Sequence, residues 1–284
     1  MKVQTPKTLA LLAVLGWACA GVPPCAHAHG ELHEMIVQAG RDIERKPNDP
    51  QLYLHRAELY RLHREWDAGL ADLDRADALS NQWHVLHFTR ARLLLDAEWF
   101  QSAKVAADRF LAREPDHVEA LITRARARAK LGERLAAADD YTRALARTSG
   151  PVPELYLERA EALTAEGGAH VDKALEGLEQ GLAKLGPVVT LQLAAMNLEL
   201  KQNRLEAALA RIDGAMAQSP NKENWLARRG EVLRQAGRNQ EAAAAFTAAL
   251  RALDTLPPAR RAVPAMVDWE KRIRTALAEI ARQP

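Results

Sequence analysis

Cysteine is nearly missing from this chain: Cys19 and Cys25 are the only two in 284 residues. Any product that begins after them has no disulfide framework and no thiol nucleophile. Long apolar runs are missing too. The best, residues 9–20, spans 12 positions, against roughly 20 for a membrane-crossing helix. No stretch of useful length alternates apolar and polar residues with period two, so no strand is expected. There is no Gly-rich phosphate loop, no Gly-x-Ser-x-Gly elbow and no His-Glu-x-x-His, and these absences argue against an enzyme and against any cofactor. Excess charge of one sign is also lacking, with 39 Lys and Arg against 37 Asp and Glu.

The first 28 residues have the pattern of an export signal. Lys2 and Lys7 precede the short apolar segment, and Ala26-His27-Ala28 forms a small-x-small cleavage site. Cleavage after Ala28 is expected, giving a periplasmic or secreted product with no membrane span. A lipoprotein acylated at Cys19 or Cys25 is the alternative. Removing Lys2 and Lys7 leaves 37 basic against 37 acidic residues. Nucleic-acid binders concentrate basic residues on one face, so no nucleic-acid partner is expected.

What the chain does have is a repeat. Ala57, Ala91 and Ala125 lie 34 residues apart within nearly the same phrase: Tyr-Leu-His-Arg-Ala-Glu-Leu, His-Phe-Thr-Arg-Ala-Arg-Leu and Leu-Ile-Thr-Arg-Ala-Arg-Ala. The series continues at Ala160, Met196 and Gly230. Gly69, Ala103, Ala137, Ala208 and Ala242 each follow an anchor by 12 positions; Ala174 follows by 14, behind an extra Gly167-Gly168 turn. Each unit predicts two amphipathic helices ending at a breaker such as Pro115, Pro151 or Pro220. Small anchors let two helices cross closely, and Leu73, Tyr141, Leu178, Ile212 and Phe246 then fill the space around the crossings.

A fixed period of this length means stacked hairpins in place of one globular core. The spacing of small residues and the closing prolines resemble the tetratricopeptide repeat over about residues 50–256. The resemblance implies an all-α, right-handed α-α superhelix of about six such repeats. Residues 1–28 are then the signal, 29–49 an N-terminal cap helix, 50–256 the array and 257–284 a C-terminal cap helix. Leu32, Ile36 and Ile43 are expected to face inward from the first cap. Met266, Ile273, Leu277 and Ile280 do so from the second, with Glu270, Lys271, Arg272 and Arg274 toward water.

In the resembled family the first helices of the units line a concave groove. Carried to this chain, that implies a row of Leu54, Phe88, Ile122, Leu157 and Leu193, flanked by Glu58, Arg92, Arg126, Glu161 and Lys130. The expected function is a non-catalytic scaffold or adaptor of the cell envelope, holding a protein or peptide in this groove. Arg92, Arg126 and Lys130 are the expected local site for an acidic group. The row equally admits a core role, against neighbouring first helices. The recurring Arg56, Arg90, Arg124, Arg159 and Arg229 are read as structural, because Asp72 and Asp140 stand 16 positions after Arg56 and Arg124, within reach on the facing helix. A rival function uses His29, the N-terminus after cleavage, together with His33 to carry copper in the periplasm.

Overall fold

The structure is a computed structural model describing residues 24–80, 84–165 and 167–282. Every regular element among them is helical, and no strand occurs. The chain falls into two units, 1–82 and 83–284.

The first unit holds α1 (Pro24–Arg45), α2 (Pro50–His63) and α3 (Trp66–Ser80), with α2 packed on both others. Asp49 caps α2 by accepting from the Gln51 amide, and Pro50 occupies the first turn, where no amide donor is needed. Ile36 and Ile43 of α1 are buried and Leu32 is half-buried.

The second unit runs from α4 (Val85–Asp96), α5 (Phe100–Leu111), α6 (Val118–Lys130), α7 (Arg134–Arg147) and α8 (Pro153–Thr164) to α9 (Val171–Leu185). It continues through α10 (Val189–Lys201), α11 (Leu205–Gln218), α12 (Lys222–Gln235) and α13 (Asn239–Asp254) to α14 (Pro258–Arg261) and α15 (Pro264–Ala281). From α4 to α13 the helices touch in series, α15 packs on α13 and α14, and α4 with α6 and α8 with α10 also meet. One apolar cluster spans α5 to α10 and a second α10 to α15. The C-terminal cap is two helices, broken near Pro264, whose ring removes an amide donor. In α15 Ile273 is buried, while Met266, Leu277 and Ile280 are half-buried.

All six anchors are buried, and so are all six small residues that follow them. The steric reason is plain at Gly230: a Cβ there would lie 2.6 Å from the Phe246 ring, which itself is fully buried. Burial of small residues at every crossing lets the larger Leu73, Tyr141, Leu178 and Ile212 close around them without voids.

A second period accompanies the anchors. Seven positions after each one, the backbone turns into the left-handed region at Arg64, Glu98, Gly132, Gly167, Asn203 and Gly237. This residue ends the first helix of its unit and reverses the chain into the second. Glycine takes that conformation freely, whereas Arg64 and Glu98 hold it at a steric cost.

Candidate partner-binding clefts

Three of the arginines before the anchors, Arg56, Arg124 and Arg229, are held by carboxylates. Arg56 donates twice to Asp72, both at 2.7 Å. Arg124 donates to Asp140 at 2.8 and 2.6 Å and to Asp108 at 2.8 Å. Arg229 reaches Asp213 at 3.1 Å, 16 positions before it, and Arg90 is engaged as well. In the fifth unit the polarity reverses, with Arg211 on the second helix binding buried Glu199. Forked pairs satisfy charges that would be costly alone beside the core.

Arg159 differs. It is buried, but Gly177 stands where Asp72 and Asp140 stand in their units, and a Cβ there would come within 2.5 Å of its guanidinium. Gln180 accepts at 3.2 Å and the guanidinium lies over Tyr156, while burial pushes it below its ordinary pKa.

The expected row lands partly in the core. Ile122 is 7 % exposed and belongs to the central apolar cluster, against which Phe88 and Leu157 also pack. Leu193 is half-buried against the C-terminal cluster. In the first unit Leu54 is half-buried and Glu58 accepts from Arg61 at 2.9 Å. Phe88 lies 5.2 Å from the Phe110 ring and 4.8 Å from His117, with Arg92 over its face. The row thus takes part in packing, most fully at Ile122, while Leu193 also lines a cleft toward the C-terminal end.

Two clefts open on the second unit. The central one, about 670 Å³, is walled by the first helices α4, α6 and α8. At its floor Arg126 donates to Glu158 at 3.0 and 2.8 Å, and the Tyr141 hydroxyl donates to the same carboxylate. Burial alone would raise the Glu158 carboxyl, but the bonds from Arg126 and Tyr141 outweigh it and hold the group below its ordinary pKa. Burial and the adjacent carboxylate push the Tyr141 hydroxyl up. Arg126, expected with Arg92 and Lys130 to meet an acidic group, is paired with Glu158. Lys130 and Glu161, both exposed on the rim, have no ion-pair partner among the described residues.

The second cleft, about 450 Å³, lies between α10, α12 and the cap helix α15. Trp225 and the half-buried Trp269 line it, and Trp269 also walls an adjoining hollow of about 390 Å³. Arg272 borders both. The residue pattern pointed Lys271 and Arg272 only toward water. They are exposed, but they border a concavity that exists because α15 packs on α13. No repeat signal marks them, since α15 lies outside the repeating phrase.

His33 is exposed on α1, with its ring 6.1 Å from His63. The His29 side chain and the export-signal residues 1–23 lie outside the described residues. No cluster of three or more metal-ligating groups occurs among the described residues, and no helix there is long and apolar enough to cross a membrane.

Solved tetratricopeptide proteins share the fold. The C-terminal part of a repeat-containing protein from Cytophaga hutchinsonii matches with a TM-score of 0.65 at 14% identity, covering 88% of this chain and 96% of that one. A tetratricopeptide protein from Parabacteroides merdae gives 0.52 at 16% identity, over 90% and 94% of the two chains. YrrB, described as a tetratricopeptide protein with an unusual peptide-binding site, gives 0.53 at 19% identity, over 66% and 95%. No protein-family model matches the chain, and no curated protein matches it in sequence.

Proposed function

We propose that this protein is a non-catalytic scaffold of the bacterial cell envelope that holds a protein or peptide in the clefts along its first helices. The observation that carries the reading is the central cleft. Residues of three successive first helices line it, Arg126 pairs with Glu158 beside Tyr141 within it, and unpaired Lys130 and Glu161 stand at its edge. Edge charges of both signs set the register of an incoming chain. The shared fold with a protein described as having a peptide-binding site supports a peptidic ligand. The export pattern of residues 1–28 supports the envelope setting.

Capture from an envelope extract tests it. The full chain is compared with a Lys130→Glu/Glu161→Lys variant, which swaps both rim charges and keeps their sum. Loss of a partner recovered by the wild type is the expected outcome. Equal recovery by both proteins removes the central cleft from the account. Recovered envelope protein should also begin at His29, and a retained residue 1 would count against export.

A further inference from the structure

We infer that the C-terminal cleft, bordered by α15, is a second docking site and takes an acidic, extended peptide segment. The inference rests on the scaffold reading above and adds the place and the ligand chemistry.

The argument is one of charge left over. Four cations border the cleft and its adjoining hollow: Arg228, Arg234, Lys271 and Arg272. Two carboxylates stand among them, and each is used. Glu231 accepts from Arg228 at 2.9 Å, and Glu279 accepts from Arg234 at 3.3 Å. Lys271 and Arg272 keep no carboxylate among the described residues. Both are exposed, on successive positions of one helix. A ligand that supplies carboxylates meets these two charges without displacing an existing pair.

The apolar part of the cleft fits the same ligand. The half-buried Trp269 lines both hollows, while Val189, 52% exposed, lines the first. An extended chain places successive side chains on opposite sides. Such a segment can set apolar residues against Trp269 and Val189 and turn acidic ones toward Lys271 and Arg272. A surplus of two charges matches a pair of carboxylates and falls short of the many phosphate contacts on which nucleic-acid binding depends.

The test uses a fluorescein-labelled nonapeptide of alternating Asp and Leu, and the same peptide with every Asp replaced by Asn, titrated into the full chain by anisotropy. The Asp peptide should bind, and the Asn peptide should bind roughly tenfold or more weakly. Lys271→Glu/Arg272→Glu should weaken the Asp peptide by about a hundredfold, and Lys271→Gln/Arg272→Gln by about tenfold, with unchanged helical circular dichroism. Equal affinity for the two peptides, or no change in the variants, overturns the inference. No binding of either peptide overturns it too, while a partner captured through the central cleft would leave the scaffold reading standing. If Lys130→Glu/Glu161→Lys alone abolishes binding of the Asp peptide, the acidic ligand belongs in the central cleft and the inference fails.

Discussion

The central and C-terminal clefts use the same kinds of side chain to different ends. In the center, the floor cation Arg126 has its carboxylate, a tyrosine completes the network, and repeat stacks on repeat. At the C-terminal end, α15 packs outside the repeating pattern, and Lys271 and Arg272 keep their charges unspent. A repeat supplies Arg56 and Arg124 with a carboxylate at a fixed offset, although Arg159 meets Gln180 instead and the rim residues Lys130 and Glu161 stay unpaired among the described residues. A cap has a neighbour on one side only, and there two cations on successive positions stay unpaired beside an aromatic surface.

The buried pairs give the sharpest contrast. Arg124→Ala removes a guanidinium from Asp140, whose side chain is 3% exposed, although Arg128 still reaches that carboxylate at 2.7 Å. A loss of about 2–4 kcal/mol is expected in urea unfolding. Arg229→Ala breaks the counterpart of Arg124–Asp108, its pair with Asp213, whose side chain is 48% exposed, and should cost under about 1 kcal/mol. Equal losses at the two sites would erase the distinction between array center and end.

Next in size are the left-handed turns. Glu98→Gly should stabilise the central turn by about 1 kcal/mol, because the steric cost at φ 62 disappears. Gly237→Ala should destabilise the C-terminal turn, at φ 75, by a similar amount. Thermal unfolding measures both, and opposite signs are the expected result.

Acid should weaken the pair in the central cleft. Glu158 has a folded pKa below its unfolded one, so its contribution is present above about pH 4.3 and is lost as pH falls through the folded value. Glu158→Gln should flatten the fall of stability between about pH 4.3 and 2. An unchanged slope in the variant would mean that the Arg126–Glu158 pair adds nothing to stability. The smallest effect is expected at Arg234→Ala, within about 0.5 kcal/mol, since its partner Glu279 is 53% exposed.

Much of the array is legible from small residues alone. Ala57, Ala91 and Ala125 and their partners mark the helix crossings, because two backbones come close only where side chains are small. The Arg56–Asp72 and Arg124–Asp140 pairs are legible from a 16-residue offset. The left-handed register is not, since Arg64, Glu98 and Asn203 share its positions with Gly132, Gly167 and Gly237. The core role of Ile122 was legible only as one of two readings. A helix presents a seam residue and a groove residue only about 100° apart, and composition does not separate them.

Period, helical hairpins and the lack of a strand among the described residues were set by the order of residues, because burial of small side chains at a fixed spacing admits few other folds. Which arginines are spent and which remain free was decided only in three dimensions. A charge is neutral or available according to what the next helix brings within about 3 Å of it, and for Lys271 and Arg272 that depends on how α15 settles at the end of the stack.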